Sequence, residues 1–66
     1  MSTLYNLGCA AALGGDRKEA LDWLGQAVSH GWSRGDQLAK DADLTSLRGD
    51  PAFDAIIAKA RQNGAK

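Results

Sequence analysis

Gly14-Gly15-Asp16, with Glu19 three residues further on, restricts the fold of this chain more than any other feature. A glycine pair readily adopts the left-handed backbone that ends a helix. Asp followed at the third position by Glu begins the next one, because the Asp carboxylate caps free backbone N–H groups and both acids favour the positive helix end. Two helices separated by two or three residues must run antiparallel. The spacing predicts a first helix from Ser2 or Thr3 to Leu13, with Leu4, Leu7, Gly8 and Ala11 on one face. The second runs from the Asp16 cap to Gly31 and presents Ala20, Leu21, Leu24, Ala27 and Val28, with Trp23 on the shoulder. Small residues at Gly8, Ala11, Ala20 and Ala27 let the two backbones approach closely.

Asp50-Pro51 marks a third clear start, an N-cap followed by a proline at the first helical position, where its missing N–H costs nothing. Phe53, Ile56, Ile57 and Ala60 form that helix's apolar stripe, and Asn63-Gly64 ends it. Between the hairpin and this helix, Asp36 to Lys40 can form one turn, and Asp43 can cap another over Leu44 to Leu47. No segment alternates apolar and polar residues in the manner of a strand. The expected fold class is therefore all-α, in one domain over residues 1–66: a helix-turn-helix over 1–34, a loop with short helical turns over 35–49, and a C-terminal capping helix over 50–64.

Size and charge narrow the function. The chain has 66 residues and a single Cys, so no internal disulfide can form. A domain this short buries only about 60% of the surface its unfolded chain exposes, which leaves little from which to build an enclosed catalytic cleft. An enzyme is not expected. Eight Lys and Arg balance eight Asp and Glu, so the basic field of a nucleic-acid binder is missing. Met1 to Gly15 is uncharged, yet it lacks a basic leader and stops short of the roughly 20 residues of a membrane span. The expectation is a cytoplasmic protein with Cys9 reduced.

Residues that carry chemistry elsewhere read as structural here. Cys9 lies in mid-helix with no base nearby and reads as a small packing residue. His30, at the end of the second helix, sits where an imidazolium would favour the negative helix end. One Cys and one His fall short of a zinc site, and no cofactor is implied. Asp41-Ala42-Asp43 imitates the opening of a calcium loop, but Ser46 and Ala52 stand where the loop needs Gly and Glu. Gly14 to Lys18 lacks the strand and spacing of a phosphate loop. Trp23 and Trp32 suit core packing better than a ligand platform. Arg48 can pair with Asp41, Asp43 or Asp50.

Tyr5-Asn6-Leu7-Gly8, Gly15-Asp16, Glu19-Ala20-Leu21 and Ala27 together resemble the tetratricopeptide repeat, a helix-turn-helix unit of about 34 residues. Ala11, in place of an aromatic, and Trp32, in place of a proline, depart from that pattern. Asp41 to Leu44, Leu47-Arg48 and Asp50 to Phe53 resemble the end-of-group tail that follows a last repeat. The resemblance implies a terminal repeat with its cap, a noncatalytic protein-protein interaction module. It also implies a groove on the first helix lined by Ser2, Tyr5, Cys9, Ala12 and Leu13, which would bind a peptide or a neighbouring repeat. A single hairpin leaves one face uncovered, so self-association is the alternative, with a regulatory tail of a larger protein beside it.

Overall fold

Two helix endings of one kind shape the first half of the molecule. In the computed structural model, which describes residues 2–64, α1 spans Ser2–Leu13 and α2 spans Arg17–Ser29. Beyond α1, Gly15 turns to a φ of 85°. Its N–H then donates to the Ala12 carbonyl and that of Asp16 to the Ala11 carbonyl. Beyond α2, Gly31 turns to 105°, so that Gly31 N–H reaches the Val28 carbonyl and Trp32 N–H the Ala27 carbonyl. Both endings are Schellman closures, which satisfy carbonyls that a helix terminus otherwise leaves unpaired. A side chain at either glycine would resist the left-handed backbone.

The start of α2 uses half of the expected capping box. Asp16 accepts a hydrogen bond from the Glu19 backbone N–H at 3.0 Å, whereas the Glu19 carboxylate accepts from Trp23 Nε1 at 3.1 Å instead of reaching back to the cap. Asp16→Ala is expected to cost about 1 kcal/mol. In a domain this small that lowers the thermal midpoint by about 4–8 °C. A melt followed by circular dichroism checks it, and an unchanged midpoint would remove Asp16 as the cap.

The second half holds α3 (Gly35–Lys40), a 3-10 helix (Ala42–Leu47) and α4 (Pro51–Gly64). Asp41 caps the 3-10 helix by accepting from Asp43 N–H at 2.9 Å. The cap thus lies two residues earlier than Asp43, because the extended backbone of Asp41 (φ −67°, ψ 120°) aims its carboxylate along the helix that follows. Asp50 caps α4 through Ala52 N–H. Arg48 makes none of the expected carboxylate pairs and donates to the Ala39 carbonyl at 3.1 Å.

α1 and α2 pack as an antiparallel hairpin, the 3-10 helix lies over α1, and α4 rests on α2 and α3. Phe53, Leu24, Leu38, Leu44 and Leu47 are fully buried at the centre. Asn63 Nδ2 donates to the carbonyls of Val28 and Trp32, each at 2.9 Å, and fastens the last turn of α4 to the end of α2. The architecture is all-α, with no strand among the described residues. Among those residues no helix is long and apolar enough to cross a membrane.

Candidate functional site

Tyr5 and Cys9 stand four residues apart and so share one face of α1. That face meets the start of the 3-10 helix. Tyr5 Oη donates to Asp41 Oδ2 at 2.5 Å, and Cys9 Sγ lies 3.9 Å from the same oxygen. The Tyr5 ring stacks on Trp32 with centroids 4.4 Å apart and planes 13° from parallel. Asp41 therefore serves two elements, since one oxygen caps the 3-10 helix and the other holds α1 through Tyr5.

The electrostatics of this cluster oppose nucleophilic chemistry. Burial, reinforced by the Asp41 charge, pushes the Cys9 thiol up to about 11 from its usual 9.0. Burial and the Asp41 carboxylate likewise hold the Tyr5 phenol well above the ordinary phenol value. A catalytic Cys needs the reverse, a thiolate stabilised by a base or a positive charge. The ligand atoms of Cys9, Asp41 and Asp43 lie within 4.8 Å of one another. A cation placed there would compete with Tyr5 and with the helix cap for Asp41.

A pH dependence follows from these shifts. Raised values mean that the folded chain holds its protons more tightly than the unfolded chain does. The stability these two groups contribute is then full below pH 9 and falls as pH rises toward 11, first through Cys9. Cys9→Ala is expected to flatten that part of the profile in urea denaturation repeated across alkaline pH. An equally steep fall in the variant would assign the loss to other groups.

The expected groove is filled by the chain's own residues. Tyr5, Cys9 and Ala12 are 4%, 8% and 5% exposed, packed under the segment that carries Leu38, Leu44 and Leu47. The side chain of Ser2 lies outside the described residues. Of the groove set only Leu13 is open, at 68%. The physical reason lies in α1 itself, which has no charged residue over Ser2–Leu13. A helix without a charged face can bury more than one stripe. Gly8 meets α2, with Leu4 and Ala11 half-buried, while Tyr5 and Cys9 meet Asp41 at the start of the 3-10 helix and Ala12 is buried. Leu7, at 39% and expected in the hairpin seam, instead joins exposed Ala10 and Leu13 on the outer side.

One further pattern lies in the α2–α3 link. Gly31-Trp32-Ser33-Arg34-Gly35 has the G-x-S-x-G spacing with which serine hydrolases place a nucleophile on a strained strand-to-helix turn. Here a helix precedes it, and no non-glycine residue among those described has a positive φ. Both glycines have other work. Gly31 closes α2, and Gly35 lets α3 approach α4, where an added Cβ would stand 2.6 Å from Arg61 Cγ. Ser33 borders an open cleft beside Asp36 and Arg61, whose 3.8 Å ion pair is largely solvent-exposed and contributes little stability. The nucleophile elbow is not formed in this link.

A second, more apolar cleft of about 740 Å³ runs between α2 and α4, floored by Leu21, Ala52, Ala55 and Ile56. Sequence reasoning missed it. Leu21 and Ile56 were both expected in the buried stripes, but each is only partly covered.

Over residues 1–66 the chain matches the family model described as A/B hydrolase-like, N-terminal domain. No curated protein and no solved structure matches it. The match overturns the likeness to the tetratricopeptide repeat and its end-of-group tail. The residues behind that likeness serve needs common to any close-packed helical hairpin: a small residue in the seam at Gly8, a turn at Gly15-Asp16, and an apolar stripe on α2.

Proposed function

The chain belongs to the A/B hydrolase-like, N-terminal domain family, and from that premise we propose that it is a noncatalytic protein-interaction domain that docks on a hydrolase-like partner through the outer face of α1. The observation that carries this reading is the uncharged α1, which leaves Leu7 and Leu13 39% and 68% exposed. On that open side Thr3 and Asn6 are the polar residues, and the leucines beside them gain from a cover. The family's description names an N-terminal domain of A/B hydrolase-like proteins, and a hydrolase-like domain is the occupant proposed for this face. The protonated Cys9 and the relaxed Ser33 link favour a scaffold over a catalyst. We place the protein in the cytoplasm, where a single buried Cys9 stays reduced.

The second reading, self-association, draws on the same face, because nothing charged on α1 would repel another copy. Sedimentation of the 66-residue chain, alone in dilution and mixed with an A/B hydrolase-like domain of a family member, separates the two. Docking predicts a monomer that joins the hydrolase-like domain; self-association predicts a dimer that dissociates on dilution. Burying a leucine stabilises a contact by about 1.5–3 kcal/mol. Leu7→Asp combined with Leu13→Asp should therefore weaken either complex at least about a hundredfold without changing helicity. A monomer that ignores the hydrolase-like domain would sink both readings.

A further inference from the structure

The cleft between α2 and α4 combines an apolar floor with a rim of one dominant sign. Leu21, Ala52, Ala55 and Ile56 form the floor. Asp16, Glu19 and Asp22 line the α2 rim, with Lys18 as the single cation, so three carboxylates face one ammonium. The hydrogen bonds these acids accept come from neutral donors: Asp16 from a backbone N–H, Glu19 from the Trp23 indole, and Asp22 from the Gln26 amide. The ion pair found among the described residues, Arg61–Asp36, lies elsewhere. The rim charge is therefore not neutralised by an ion pair among the described residues.

From this geometry we infer that the α2–α4 cleft binds an amphipathic helix of a partner protein, with its apolar stripe on Leu21, Ala55 and Ile56 and flanking Lys or Arg residues on the Asp16–Glu19–Asp22 rim. A helix is the fitting shape because both walls are helices whose backbone groups are bonded internally. Neither wall offers a strand edge, and recognition must go through side chains laid into a groove. The basic flank follows from charge complementarity, which sets partner choice and association rate. This surface is separate from the outer face of α1 and stands whether or not that face docks.

The test titrates the isotope-labelled 66-residue chain with two synthetic helices of about 15 residues. Both carry the same Leu and Ala stripe; one is flanked by Lys and the other by Glu. The expected result is amide shifts centred on Leu21, Ala52, Ala55 and Ile56, with the Lys-flanked helix bound about tenfold or more tightly at low ionic strength and the gap narrowing as salt screens the rim. Glu19→Lys together with Asp22→Lys should invert the order of the two peptides. Ala55→Arg, at an exposed floor position, should abolish binding while the thermal melt stays unchanged. Leu7→Asp with Leu13→Asp should leave peptide affinity as it was, which separates this inference from docking through α1. Equal affinity for the two peptides, no inversion in the charge-reversed variant, shifts centred on α1, or no binding by either peptide would each overturn it.

Discussion

Phe53→Ala is expected to leave much of the chain unfolded at 25 °C. Phe53 is 1% exposed and is the largest fully buried side chain, projecting from the first turn of α4 into the central cluster with Leu24, Leu38, Leu44 and Leu47. Removing a buried Phe costs about 3–5 kcal/mol, combining lost transfer energy with the cavity left behind. A domain of this size without an internal disulfide rarely holds more than about 3–5 kcal/mol in its core. Loss and reserve are thus of equal size. Urea denaturation followed by helical ellipticity reads the outcome, with Leu7→Ala as the surface control expected within about 0.5 kcal/mol of the parent. If Phe53→Ala kept a cooperative transition close to the parent midpoint, α4 would be peripheral to the core.

Gly8→Val is expected to cost about 3 kcal/mol, through crowding where Phe53→Ala acts through a void. A Cβ built on Gly8 would stand 2.7 Å from both Cγ and Cδ2 of Leu24 and 3.5 Å from the Ala20 carbonyl. Leu24 is fully buried and has no solvent into which to swing. Extra carbons in a packed seam typically cost about 1–3 kcal/mol. The immobile neighbour argues for the upper end, which outweighs the gain of up to about 1 kcal/mol from removing a mid-helix glycine. The double variant Gly8→Val/Leu24→Ala makes the mechanism testable. Truncating Leu24 opens the space that the introduced valine needs, so the two losses should fall short of their sum by about 1–3 kcal/mol. Strict additivity would mean that the two positions do not share the seam.

The ends of the two hairpin helices and the start of α4 were legible because each has a local chemical cause. Gly15 and Gly31 terminate helices, and Asp16 and Asp50 begin them, through groups a few residues away. The stripes of α2 and α4 were legible for the same reason: Ala20, Leu24, Ala27, Val28, Phe53, Ile57 and Ala60 are buried as their spacing requires. The orientation of α1 was not. A helix of Ala, Leu, Gly and small polar residues has no polar side to mark its outside, so periodicity could not show that Tyr5 faces inward and Leu7 partly outward. What settles the orientation is a contact 36 residues away in sequence, Tyr5 with Asp41. The α2–α4 cleft escaped notice because it arises from the separation of two helices, which neither stripe encodes alone.

The stack of Tyr5 on Trp32 gives the molecule an optical readout of its own state. Trp32 lies flat against a ring carried by α1, and its Nε1 is 3.4 Å from the Arg34 carbonyl, whereas Trp23 packs beside Glu19 on the flank of α2. Lifting α1 away would strip from the Trp32 indole the ring it stacks on. With Trp23 replaced by Phe, the remaining emission becomes a gauge of whether α1 is seated. Its colour and lifetime would then distinguish a partner that settles on the intact domain from one that peels the helix off to bind.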